Sequence, residues 1–154
     1  MYLAFYKGEG SFFDKLIRKY LKGKYSHVEL VLGNLWYTSS PRDGGVRVKG
    51  IVMKESNWDL LHIPVSSSQV KDIRGFFHNN MGKKYDWAGI MFSQVLPLEK
   101  DNPDRWFCSE ICSRALQIAG FGEYLKEKSS YYNPVNLYDE VIKIGGVEQW
   151  QVRL

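Results

Sequence analysis

Cysteine is scarce in this chain: only Cys108 and Cys112 occur among its 154 residues. The two are four residues apart within one predicted helix, where their side chains run parallel and are poorly placed for a disulfide. This spacing excludes a small scaffold held together by disulfides. We expect both thiols to be free.

Long apolar runs are also missing. No stretch reaches the roughly 18 consecutive apolar residues of a membrane-spanning helix. The opening residues MYLAFYKGEG lack the basic region and apolar segment of a signal peptide. We therefore expect a soluble protein with no signal peptide and no transmembrane segment, located in the cytoplasm or delivered by a phage.

Neither composition nor charge is extreme. Hydrophobic residues make up 44% and charged residues 25% of the chain, which is typical of one globular domain over residues 1–154. The net charge of +4 would attract an anionic partner. The densest basic stretch lies along one predicted helix. Such a stretch is typical of a solvent-exposed helix face, and we expect no nucleic-acid partner. Nothing in the sequence specifies the oligomeric state.

Apolar periodicity and turn residues predict an α+β domain. Strands are predicted over residues 2–6, 27–32, 35–38, 46–52, 59–65 and 148–152. Helices are predicted from an N-cap at Ser11 to a C-cap at Gly23, from Ser67 or Ser68 to Gly82, over 86–95, from Cys108 to a stop at Gly120, and over 135–139. This order of elements favours an antiparallel, barrel-like sheet packed against helices.

Cys108 begins a predicted helix, and two interpretations of it are open. The thiolate is the attacking form of cysteine, and the unpaired N–H groups of a helix N-terminus favour negative charge and supply a donor for an oxyanion. A cysteine that follows Trp106 and Phe107 is also typical of a small buried core residue. Cys112, one turn further along, suits packing alone.

A cysteine hydrolase also needs an imidazole, oriented by a third polar residue. His27 begins a predicted strand, and Glu29 projects from the same strand face, where a carboxylate can hold the ring. A solvent-exposed strand end is the alternative for both, and His62 and His78 suit structural roles. Two cysteines and one histidine are one ligand short of a closed zinc site, so we expect no metal and no cofactor.

Three segments carry a family resemblance: YSHVEL at 25–30, YDW at 85–87 and WFCSE at 106–110. In this order they resemble the circularly permuted NlpC-type papain-like hydrolases, most closely the YaeF/YiiX branch. There the histidine strand precedes the cysteine helix, the reverse of the usual papain-like order, and a CSE tripeptide begins the helix. The segment NPVNL at 133–137 is similar to the P-x-x-L turn that follows that helix.

The resemblance implies a permuted papain-like fold with Cys108 as nucleophile and His27 as general base. The third site residue varies within the superfamily. Glu29 is our choice, and Thr38 on the neighbouring strand is the alternative.

The same resemblance implies a cysteine peptidase or amidase that cleaves an amide or peptide bond through a thioester, with bacterial cell-wall peptide as the substrate. One alternative is a thioester-forming acyltransferase or hydrolase acting on lipid or acylated protein. It predicts an apolar lipid-facing surface with contributions from Phe12, Phe13 and Trp36, although the NCE tripeptide of the related lipid acyltransferases is absent. The other alternative is a non-catalytic module that binds an anionic partner.

Overall fold

One twisted sheet organises the part of the chain that the computed structural model describes, residues 1–88 and 104–149. Its eight strands run in the order β7-β6-β4-β3-β2-β1-β5-β8, and all neighbours are antiparallel except β6 and β7. The strands are β1 Tyr2–Tyr6, β2 His27–Leu32, β3 Leu35–Ser40, β4 Gly45–Lys49, β5 Trp58–His62, β6 Lys84–Tyr85, β7 Arg105–Trp106 and β8 Val147–Gln149.

The sheet is open, so the expected barrel-like closure is wrong. Within the described residues, β7 and β8 form its two edges and no pairing joins them. These edge strands are two and three residues long, too short to supply the staggered ladder that closes a barrel. The α+β class and the antiparallel pairing of the long strands agree with the sequence prediction.

Four α-helices with both ends inside the described ranges accompany the sheet: α1 Phe12–Leu21, α2 Ser67–Asn80, α3 Cys108–Leu116 and α4 Pro134–Lys143. Ser11 caps α1 as predicted, in a reciprocal pair with Asp14. The N-cap of α2 is Ser66 rather than Ser67 or Ser68, because the Ser66 hydroxyl accepts from the Gln69 N–H while the Gln69 side chain accepts from the Ser66 N–H.

Two predicted helix ends also differ. The C-cap of α1 is Lys22, in the left-handed region at φ 49°, and not Gly23. Gly23 serves packing instead, since a Cβ there would lie 2.3 Å from the Val135 side chain. Helix α3 ends at Leu116 and continues as a π-type turn, Gln117–Phe121, in which Gly120 adopts φ +92°. Residues 87 and 88 of the predicted helix over 86–95 are helical, whereas its residues 89–95 and the last part of the predicted strand over 148–152 lie outside the described residues.

Helix α3 lies in the main core, against β2 and β3. Every residue of α3 except Arg114 is buried. Val28, Leu30 and Leu32 of β2 join this core, and because side chains alternate along a strand, Glu29 and Val31 project from the opposite face. This arrangement sets the first residue of α3 beside the first residue of β2. No helix in the described ranges is both long and apolar enough to cross a bilayer.

Candidate active site

The first residue of α3 lies beside the first residue of β2: the Cys108 thiol is close enough to the His27 imidazole to raise its pKa through charge and hydrogen bonding. Phe107, the N-cap of α3, has an extended backbone, and its N–H donates to the Glu110 carboxylate at 3.3 Å. This hydrogen bond from the N-cap backbone to the N3 carboxylate fixes the start of the helix and therefore the position of the sulfur.

Glu29 completes a row of three groups. Its Oε1 lies 3.3 Å from His27 Nε2. Burial by itself lowers the pKa of His27, but the charge and hydrogen bond of Cys108 and the adjacent Glu29 carboxylate raise it to about 10. The imidazole in this environment therefore holds its proton at neutral pH.

Arg47 holds the carboxylate from the other side, a role the sequence did not reveal. Its Nη2 donates to Glu29 Oε1 at 2.7 Å, Nη1 to the Trp36 carbonyl at 3.1 Å and Nε to Asp43 Oδ2 at 3.0 Å. Burial raises the pKa of Glu29, yet the hydrogen bonds and charges of His27 and Arg47 lower it overall, so Glu29 is ionised. Within the described part of the chain Glu29 Oε2 has no hydrogen-bond partner.

Tyr85 contacts the sulfur from β6, and here the YDW segment was the only sequence signal. Its hydroxyl lies within interaction range of the Cys108 thiol. Burial, followed by the charges of Cys108 and Asp86, raises the pKa of Tyr85 well above its ordinary value, so the phenol stays protonated. β6 comes close enough because of Gly45 on β4, where a Cβ would lie 1.9 Å from the Lys83 carbonyl oxygen.

Thr38, the alternative third residue, is directed elsewhere. Its buried hydroxyl donates to the Val28 carbonyl at 2.8 Å, with a longer contact to the Ser39 carbonyl at 3.3 Å. The Thr38 hydroxyl therefore donates to backbone carbonyls of β2 and β3 and not to the imidazole. Of the two sequence candidates, the structure brings Glu29 to the imidazole.

The remaining cysteine and histidines lie apart from this row. Cys112 is fully buried one turn into α3, and burial raises the pKa of its thiol well above the ordinary value. His62 packs against Tyr2 with ring centroids 5.0 Å apart, and His78 is exposed on α2. These positions agree with the structural roles expected for all three.

An open cleft of about 480 Å³ leads to the row. His27, Glu29 and Tyr85 line it, whereas Cys108, which interacts with His27 and Tyr85, has no exposed surface and is not among the lining residues. A reactant in the cleft therefore reaches the sulfur only when one of these side chains moves. The rest of the wall is aromatic and charged, including Tyr6, Trp58, Phe13, Trp87, Asp14, Arg42, Asp43 and Lys49.

The chain matches no protein-family model and no curated protein sequence. Its function is therefore argued from the geometry of the site.

Proposed function

We propose that this chain is a cysteine peptidase or amidase that cleaves an amide bond through a thioester on Cys108. The observation that carries the proposal is the juxtaposition of Cys108 and His27, with the Glu29 carboxylate 3.3 Å from the imidazole. A nucleophile, a base within hydrogen-bond reach and a third group that orients the base form the constellation of covalent acyl transfer.

The raised pKa of His27 refines its role. Because the imidazole holds a proton at neutral pH, His27 begins as an imidazolium rather than as a free base, and the thiolate form of Cys108 is the attacking species. The thiolate attacks the carbonyl carbon, and the His27 proton passes to the departing nitrogen as the C–N bond breaks. His27 is then neutral and takes a proton from the water that hydrolyses the thioester, which restores the starting state.

The oxyanion formed in each step needs donors. The Cys108 backbone N–H, at the start of α3, is one. The Tyr85 hydroxyl is the second, since it is protonated and already contacts the sulfur. Its movement from the sulfur to the substrate oxygen would also uncover the buried thiol.

We propose bacterial cell-wall peptide as the substrate class. Such peptides carry both amines and carboxylates, and the cleft wall carries both signs of charge. Lys49 and Arg47 each pair with Asp43, at 2.7 and 3.0 Å, and Arg42 pairs with Asp14 at 2.5 Å. The chain's net charge of +4 also suits an anionic cell-wall polymer.

Release of free amines from purified peptidoglycan tests this function. The wild type should release new amines, Cys108→Ala should release none, and Cys112→Ala should behave as the wild type. No release by the wild type, or equal release by Cys108→Ala, would reject the proposal.

Thioester-mediated acyl transfer or hydrolysis on lipid is the second candidate, and one observation favours it. Phe12 and Phe13 are 75% and 52% exposed, as a lipid-facing surface requires, whereas Trp36 is only 1% exposed and does not contribute. Fatty-acid release from phospholipid vesicles that depends on Cys108, without amine release from peptidoglycan, would select this reaction.

A non-catalytic binding module is the third candidate, favoured by the complete burial of Cys108. It predicts that iodoacetamide labels Cys108 no faster than a free thiol, even in the presence of peptidoglycan or lipid. Labelling faster than the free thiol would instead support catalysis.

A further inference from the structure

Helix α1 presents apolar side chains to solvent. Phe12, Phe13 and Leu16 are 75%, 52% and 40% exposed, whereas an amphipathic helix on a globular protein ordinarily turns such residues inward. Trp87, 44% exposed, extends the surface, since its ring lies 5.2 Å from that of Phe13. We call these four residues the α1 patch. Contiguous exposed aromatic surface marks an interaction site more often than isolated apolar residues do.

The orientation of α1 is fixed from its buried side. Asp14 accepts hydrogen bonds from the Ser11 N–H at 2.6 Å, from the Ser26 hydroxyl at 3.1 Å and from Arg42 at 2.5 Å. Arg18 donates to the carbonyls of Gly8 and Glu9. Because these contacts hold the polar side of the helix against the domain, the outward position of the phenylalanines is part of the fold.

Lysines lie beside the exposed apolar side chains of α1, and the helix has no exposed acidic residue. At 100° per residue, Lys15 and Lys19 lie on one side of the line through Phe12 and Leu16, and Lys22 continues that side; all three lysines are exposed. Asp14 is the only acidic residue of α1 and is buried. The exposed face of α1 is thus aromatic and cationic.

We propose that the α1 patch docks in the plane of an anionic lipid bilayer, with its rings in the headgroup region and Lys15 and Lys19 among the lipid phosphates. Aromatic rings on one face and lysines beside them are the features of an interfacial helix. Phe13 and Trp87 also line the cleft, so docking places the cleft mouth at the membrane surface. The inference concerns binding alone and does not depend on the proposed reaction.

Vesicle co-sedimentation of the full chain tests the proposal. The probes are phosphatidylcholine vesicles and vesicles in which about a third of the lipid is phosphatidylserine. We expect binding to the anionic vesicles only. The double variant Phe12→Ser/Phe13→Ser should weaken it at least about tenfold, and Lys15→Gln/Lys19→Gln should weaken it by a similar factor that shrinks at high salt.

Matched controls carry the same changes outside the α1 patch. Leu35→Ser/Val52→Ser alters two residues that are 41% and 100% exposed, and Lys54→Gln/Lys71→Gln alters two exposed lysines. Both controls should bind as the wild type does. If they lose binding to the same extent, or if the wild type does not bind anionic vesicles, the proposal is wrong.

A second measurement detects contact between the α1 patch and lipid by fluorescence. Brominated lipid in the anionic vesicles should quench wild-type tryptophan fluorescence, and Trp87→Phe should remove most of that quenching. Equal quenching in both proteins would contradict docking through the α1 patch. Sedimentation equilibrium without lipid tests whether the α1 patch instead binds a second copy of the chain. If the wild type is a dimer and Phe12→Ser/Phe13→Ser is a monomer, this face is a subunit interface and the proposal is wrong.

Discussion

Two carboxylates of the same sheet, the buried Glu29 and the half-buried Asp59, differ in how their oxygens are hydrogen-bonded. Asp59 on β5 has a donor on each oxygen: Lys7 at 2.5 Å on Oδ1, and Lys24 at 2.5 Å with the Tyr25 hydroxyl at 2.7 Å on Oδ2. Glu29 on β2 concentrates Arg47 and His27 on Oε1, and its Oε2 has no partner in the described residues.

The difference distinguishes an ion cluster that supports the fold, around Asp59, from one that belongs to the candidate active site, around Glu29. Burying a carboxylate is costly unless its oxygens are bonded, and the Asp59 cluster meets that requirement with residues that contact nothing reactive. The Glu29 cluster leaves the requirement partly unmet and ends at an imidazole and a thiol. Local rules are broken most often where a protein keeps a functional arrangement.

The largest effect is expected at the thiol end of the Glu29 cluster. Cys108→Ala should lower turnover of the proposed substrate by at least about 10³-fold, because Cys108 is the nucleophile that interacts with His27 among the described residues. Cys112→Ala is the matched control one turn away and should keep full turnover. Both variants should lose a similar, small unfolding free energy in urea titrations. Comparable loss of turnover in the two variants would show that packing of α3, and not the nucleophile, is being measured.

A smaller effect is expected at the carboxylate itself. Glu29→Gln keeps the shape but removes the charge that helps raise the pKa of His27, so that pKa should fall and turnover should decrease roughly 10²-fold. Thr38→Val removes the other sequence candidate and should change turnover little, because its hydroxyl bonds the backbone. Steady-state kinetics across pH compare the two. A larger loss for Thr38→Val would reverse the assignment of the third residue.

Arg47→Lys should have an intermediate effect. Lysine keeps the charge but cannot donate at once to Glu29, Asp43 and the Trp36 carbonyl. We expect turnover to fall roughly tenfold through misplacement of Glu29, with a shifted pH–rate profile. Arg114→Lys, an exposed change on α3, is the control. An unshifted profile with reduced stability alone would mean that Arg47 only supports the fold.

The smallest effect is expected in the Asp59 cluster. Asp59→Asn should leave turnover unchanged and lower the unfolding free energy by about 1 kcal/mol at neutral pH. Burial raises the pKa of Asp59, but the bonds from Lys24, Lys7 and Tyr25 bring it below its ordinary 3.8. Its contribution is therefore complete above pH 3.8 and disappears as the pH falls through the folded-state value.

Urea unfolding of wild type and Asp59→Asn at several pH values measures this contribution. The two unfolding free energies should converge in acid. A gap that stays constant with pH would mean that charge is not the source of the Asp59 contribution.

Local sequence patterns predicted the helix and the strand that carry Cys108, His27 and Glu29. The contacts of the other site residues depend on long-range strand pairing, which local patterns do not predict. Strands β1 and β2 have the predicted bounds because alternation and flanking glycines specify them. Cys108, His27 and Glu29 were named from a helix start and a strand start. Arg47 and Tyr85 were missed because their contacts depend on registers, Thr38 opposite Arg47 and Gly45 opposite Lys84, that residue spacing does not reveal.

The burial of Cys108 was equally beyond sequence reasoning. A helix N-terminus predicts the backbone environment of the thiol but not which side chains cover it. Tyr85, from a strand two residues long, interacts with the Cys108 thiol, which has no exposed surface.

The central claim is that the Cys108 thiol and the His27 imidazole interact. An NMR titration of the His27 imidazole tests this claim most directly. In the wild type the ring should remain protonated through neutral pH and titrate near 10, because Cys108 and Glu29 both raise its pKa. In Cys108→Ala the same ring should titrate at clearly lower pH. An identical titration in the two proteins would contradict the pair, and with it the proposed chemistry.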